Sequence, residues 1–170
     1  SNPAGLFQPG NSGSHLACNR KDLWSNPVSD GWTVWRQAMA EHYAEIQKVE
    51  GPFRVEYNGN VLAESDYAME LQEYHPSYEF QPVYYLPDSA LHKDEFQSND
   101  HQTSCPIKGK AAYLDLKLDG ETVENIAWTY PNPLESAREL ENTYAFDPAK
   151  KVKIFRNGEQ ITRWGIRKKS

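Results

Sequence analysis

The feature that most constrains this chain is a turn signal that occurs three times: Asn58-Gly59, Asp119-Gly120 and Asn157-Gly158, each set between short runs of alternating apolar and polar residues. Asn, Asp and Gly tolerate the positive φ that a two-residue hairpin turn needs, and such a turn twists in the same sense as the strands it joins. Phe53 to Tyr57 and Val61 to Ala63 flank the first signal, Ala111 to Leu118 and Thr122 to Trp128 the second, and Val152 to Phe155 and Gln160 to Trp164 the third. Val83 to Leu86 reads as a further strand ended by Pro87, and Tyr144 to Phe146 as another. Repeated hairpins of short strands predict a mostly β chain, α+β at the margin, with an antiparallel meander curled into a small barrel or sandwich.

Two helices are expected beside the sheet. After Ser29 or Asp30 as N-cap, Trp32, Trp35, Met39, Tyr43, Ile46 and Val49 recur at three- and four-residue spacing, and Gly51-Pro52 follows as a stop. This predicts an amphipathic helix over 29–50, packed on the barrel through Trp32 and Trp35, with a lid or a homodimer contact as alternative roles. A short late helix is expected over Leu134 to Glu141, after Pro133. Residues 1–28, rich in Gly, Ser, Asn and Pro, read as a flexible leader. The β-rich domain is expected over 51–163, and a basic tail with Arg167, Lys168 and Lys169 over 164–170.

Composition narrows the partners. A net charge of −6 disfavours nucleic acid and anionic membrane surfaces, because both repel an acidic chain. No stretch approaches the roughly 20 consecutive apolar residues of a membrane span, and the first residues carry no charged-then-apolar secretory pattern. Cys18 and Cys105 allow at most one disulfide, no CxxC pair exists, and no Asn-x-Ser/Thr acceptor occurs. A soluble, cytoplasmic protein with a small-molecule ligand is expected, with no nucleic acid or membrane partner and no cofactor.

The chemistry concentrates in Asp100-His101-Gln102-Thr103-Ser104-Cys105-Pro106-Ile107-Lys108-Gly109. Read as a loop on a β scaffold, this is the kind of segment that carries function. His101 is a candidate general acid or base, because its ordinary pKa suits proton transfer near neutral pH. Asp100 is a candidate to orient it, although neighbours on a strand point to opposite faces. Cys105 is a candidate nucleophile if Lys108 or His101 favours its thiolate, the alternative being a small buried hydrophobe. Lys108 reads as an anion ligand or charged anchor, with Gly109 letting the backbone approach a ligand closely. His101, Cys105 and Asp88 or Asp94 match no metal-ligand spacing, so no metal is expected. His15, His42, His75 and His92 are scattered and receive no role. Tyr85, Thr103, Asn125, Trp128 and Tyr130 are candidate substrate-binding residues: an aromatic wall for a flat ligand, with Asn125 giving directional hydrogen bonds. Strand alternation separates Asn125 from Trp128 and Tyr130 unless a bulge intervenes.

Four strings are shared with a known family in order and spacing: Pro82-Val83-Tyr84-Tyr85-Leu86-Pro87, the run from Asp100 to Tyr113, Glu124-Asn125-Ile126-Ala127-Trp128-Thr129-Tyr130-Pro131-Asn132-Pro133, and Ala145-Phe146. From about Phe53 to Ile161 the chain resembles the domain of unknown function 427 family. The resemblance implies a compact β-rich domain with a few short helices. It also brings a nucleotidyltransferase label, although the chain has no glycine-rich phosphate loop and no paired acids on one strand. Ala90-Leu91 stands where that family has an acidic residue before an aliphatic one, and Tyr67 where Arg is common. Three functions follow as expectations: a cofactor-independent acid/base enzyme of lyase, hydratase, cyclase or isomerase type, a non-catalytic small-ligand-binding module, and a nucleotidyltransferase.

Overall fold

The expected hairpin turns are all present. Asn58-Gly59, Asp119-Gly120 and Asn157-Gly158 each hold both residues at φ between 49° and 80°, the geometry that Asn, Asp and Gly supply at least strain. The computed structural model describes residues 42–170. The leader and residues 29–41 of the helix expected over 29–50 lie outside the described residues.

Eleven strands follow in chain order: β1 (Tyr43–Tyr57), β2 (Asn60–Tyr74), β3 (Tyr78–Phe80), β4 (Val83–Pro87), β5 (Phe96–Cys105), β6 (Gly109–Leu118), β7 (Glu121–Thr129), β8 (Thr143–Phe146), β9 (Lys153–Arg156), β10 (Glu159–Gln160) and β11 (Ile166–Lys168). They form one antiparallel sheet with the order β10-β9-β1-β2-β4-β8-β7-β6-β5, while β3 bridges β2 and β11. The central strands bury both faces, so adjacent residues serve different cores. Leu86, Ala127 and Phe146 join Phe53, Val55, Leu62, Leu116 and Ile154 on one face. Tyr85, Trp128 and Ala145 join Leu71, Tyr113, Tyr130 and Leu140 on the other. No helix among the described residues is long and apolar enough to cross a membrane.

Several expectations are corrected. The sheet is mostly β and antiparallel as expected, but it is not closed into a barrel: β10 and β5 are the ends of its path. β10 has two residues and β5 is bulged, so neither offers the other a continuous ladder. Residues 43–50, expected as the end of the helix, are strand, paired residue by residue with 67–74. A periodicity count cannot see that distant partner, and the partner decides the conformation. Gly51-Pro52 is therefore not a helix stop but a bulge, between Glu50↔Tyr67 and Phe53↔Ser65. A Cβ on Gly51 would lie 2.5 Å from the Phe53 nitrogen, so the bulge needs glycine. The late helix is a pair of 3-10 turns over Glu135–Leu140, kinked at Ala137. The basic tail includes β11, whose Ile166 is buried and pairs with Phe80, leaving Arg167 and Lys168 exposed.

The polar segment from Asp100 is not a loop. It is the bulged edge strand β5, followed by a turn in which Cys105 pairs with Gly109. Two bulges face each other here. Between Ser98↔Leu114 and Gln102↔Ala112, β5 has extra residues, and β7 has extra residues between Val123↔Leu116 and Ala127↔Leu114. Asp115 joins them: its Oδ1 accepts from the Asn125 backbone N–H at 3.0 Å and from Asn99 Nδ2 at 2.6 Å. Asn99 Nδ2 also donates to Asn125 Oδ1 at 2.8 Å, and Asn125 itself sits at φ 56°. Asp115→Ala removes an acceptor from both bulges, and leaving such donors unmet costs about 1–3 kcal/mol. Urea unfolding is expected to show a loss of that size, with Asp115→Asn, which keeps an acceptor, losing less.

Candidate functional site

Strand alternation sorts the polar residues of β5. Asn99, His101, Thr103 and Cys105 turn inward, whereas Asp100, Gln102 and Ser104 are exposed. Asp100 therefore faces away from His101, whose backbone N–H is held by Asn99 Oδ1 at 2.8 Å. The His101 ring lies against Tyr113, centroids 4.6 Å apart. Thr103 Oγ1 and the Tyr113 hydroxyl share a hydrogen bond of 2.8 Å. Next to them Trp128 Nε1 donates to the Tyr85 hydroxyl at 3.2 Å, and the Tyr85 ring packs on Tyr130. Burial pushes the Tyr85 phenol up to about 12 and raises Tyr113 as well, so both remain neutral donors. Cys105 is buried with Ile107 against Ala44.

A residue with no assigned role in the sequence reading stands at the centre of this face. Glu73 continues the inward row of Met69 and Leu71 on β2 and is buried. Lys108 Nζ donates to its Oε1 at 2.9 Å, and His42 Nε2 lies 2.7 Å from its Oε2, all three side chains being almost fully buried. Burial acts to raise the Glu73 pKa, but the Lys108 charge, with the hydrogen bonds from His42 and Lys108, outweighs it and holds the carboxyl at about 2. As an ionised carboxylate Glu73 only accepts, so the proton on this side of His42 sits on Nε2. Nδ1, the other ring nitrogen, is buried with no hydrogen-bond partner among the described residues. His101 Nε2 is likewise buried without a hydrogen-bond partner among the described residues. His75 meets the His42 ring edge-on at 4.9 Å and accepts from the Ser77 N–H.

Lys108 thus finds its anion within the chain. Four strands of the path, β4, β8, β7 and β6, separate its turn from β2. At about 4.8 Å per strand a flat sheet would hold the two groups far apart, so the sheet curls to bring them together. The Lys108 ammonium also lies 5.8 Å from the centroid of the Tyr130 ring. Gly109, at φ 111°, allows a close approach to the chain itself: a Cβ there would meet the Asn132 carbonyl at 3.3 Å. Leu134 N–H and Ser136 Oγ bond the Lys108 and Ile107 carbonyls and fix the turn from below. A cleft of about 410 Å³, with Gln72, Tyr78 and Arg163 among its walls, reaches Glu73 and His75.

The structure therefore places Tyr85, Trp128 and Tyr130 in one buried cluster with Tyr113, on which His101 and Thr103 rest, and brings Lys108 to Glu73 and His42. Asp100 is on the opposite face of β5, and Asn125 spends its side chain on the bulge. Glu73 was missed although a charge in phase with Met69 and Leu71 is a visible signal; His42 carries no such signal. Among the described residues no group of three or more His, Cys, Asp or Glu is placed to hold a metal ion. In comparisons with known proteins, the model of the family described as Domain of unknown function (DUF427) matches residues 45–158. No curated protein matches the chain.

Two predictions follow from the buried charges. Glu73→Leu or Lys108→Met alone strands the partner's buried charge and is expected to cost about 3–5 kcal/mol, whereas the double variant Glu73→Leu/Lys108→Met recovers most of that loss; chemical denaturation of the wild type and these three variants closes the cycle. Asp147, also buried, is pushed by desolvation up to about 6 despite the Ala149 N–H and the Lys150 charge. Its folded form holds a proton that the unfolded form has already released, so its contribution is lost as pH rises from about 4 to 6. Asp147→Asn is expected to flatten the stability profile in that window, by roughly 2–3 kcal/mol, in melts taken from pH 4 to 7.

Proposed function

The chain belongs to the domain of unknown function 427 family, and we propose that it is a small-molecule pocket protein acting as a cofactor-independent acid/base enzyme. The observation that carries this reading is the His42 imidazole, oriented by the ionised Glu73 through Nε2 and presenting a buried, unpartnered Nδ1. A buried polar atom without a partner is unfavourable in the resting fold and calls for an explanation. A substrate group that gives up a proton supplies one. In this reading Nδ1 takes the substrate proton and the resulting imidazolium is stabilised by Glu73; the proton then returns to the product at a second position in an isomerase or cyclase, or goes to the departing group in a lyase or hydratase working in the eliminating direction. Lys108 compensates the Glu73 charge. His101 offers a second unpartnered nitrogen, and Tyr85, Trp128 and Tyr130 supply the aromatic wall.

A thermal-shift screen of the full chain against small metabolites, followed by mass spectrometry of each stabilising compound, tests this proposal. At least one stabilising compound is expected to be converted. His42→Gln is expected to lower turnover by about 10²–10⁴-fold while the ligand still raises the melting temperature. Binding without conversion by the wild-type chain overturns the enzyme reading in favour of a binding module. Stabilisation confined to nucleotides with Mg²⁺ moves the assignment to nucleotidyl transfer.

A further inference from the structure

A second concavity lies apart from Glu73 and His42. Tyr84, Phe146, Ile154 and Trp164 are among the residues lining a groove of about 260 Å³. A cavity of roughly 150 Å³ already admits benzene, so this groove has room for a larger aromatic ring system. Its floor is apolar, because Phe146, Val152 and Ile154 are buried core residues. Its charge is one-sided: Lys151, Lys153 and Arg163 line it, and no Asp or Glu is among its described lining residues.

All three cations are exposed at the mouth. None of them forms an ion pair with a described residue. Arg163 also lines the neighbouring cleft, where Glu79 is present. Beyond its coulombic pull on Glu79, Arg163 has no acidic neighbour among the described residues of the groove, and an apolar, aromatic-lined floor below this cationic rim matches a molecule with a flat apolar body and one acidic group. The planar guanidinium of Arg163 suits a carboxylate in particular, since it can donate two parallel hydrogen bonds. The wall from Gln160 to Gly165 lies beyond residues 45–158 that match the family, so the groove depends on a part of this chain outside the matched domain.

We propose that this groove binds an aromatic carboxylate, with the ring on the apolar floor between Tyr84 and Trp164 and the carboxylate at Arg163 and Lys153. The proposal uses neither Glu73 nor His42, although Trp128 lines this groove as well as serving the aromatic wall.

Calorimetric titration of the full chain with 2-naphthoate and with the neutral 2-naphthamide tests the proposal. Naphthoate is expected to bind at least several-fold more tightly than the amide. The double variant Lys153→Glu/Arg163→Glu is expected to weaken naphthoate by about tenfold, the scale of two partly exposed charge contacts, and to leave the amide unchanged, which also reports that the groove remains folded. Trp164→Ala is expected to weaken both ligands. His42→Gln should leave naphthoate affinity unchanged, so that failure here and failure of the proton-transfer reading are separable. Equal affinity for acid and amide, absence of binding by either, or insensitivity of naphthoate to the double variant overturns the proposal.

Discussion

The ionised carboxylate of Glu73, held between Lys108 and His42, is the interaction on which the rest of the molecule depends. A carboxylate taken out of water costs several kcal/mol unless each oxygen regains a charged or hydrogen-bonding partner. Here each oxygen has one, and the partners come from separate parts of the chain: the turn between β5 and β6, and the residue just before β1. Because β2 and that turn stand far apart along the sheet, the pair forms only if the sheet curls. What a closed barrel would achieve by a continuous ladder, this open sheet achieves on one side by an ion pair and an aromatic core.

That arrangement also explains why the polar residues of β5 are where they are. An edge strand with inward-facing Asn, His and Thr would be unstable against an apolar core. The paired bulges relieve this by giving Asn99 to Asp115 and Asn125, and Thr103 to Tyr113. His101 is left with one ring nitrogen unmet, as His42 is.

Much of the fold was legible because its turns are chemically specific. Asn58-Gly59, Asp119-Gly120 and Asn157-Gly158 announce their hairpins by residue type, and the alternation on either side sets which face of β6, β7 and β9 is buried. The long β1–β2 ribbon was not legible at its far end, since Tyr43, Ile46 and Val49 satisfy a helical spacing as well as an extended one, and only pairing with 67–74 separates the two. The edge-strand character of Asp100 to Cys105 was hidden for a different reason: its inward row is Asn99, His101 and Thr103, so the alternation runs between polar residues and leaves no hydrophobic period to mark a strand.

The sequence by itself determined the hairpins, the mostly β class, the family and the polar segment from Asp100 to Gly109, because each depends on local backbone preference or on residues close together in the chain. Only the tertiary structure decided that the sheet stays open, that Lys108 serves Glu73, and that His42 belongs beside them. Pairing across 31 and 35 residues leaves no local trace: nothing in the neighbourhood of His42, Glu73 or Lys108 names its partner, and the pairing exists only once the curl of the sheet removes all three from water.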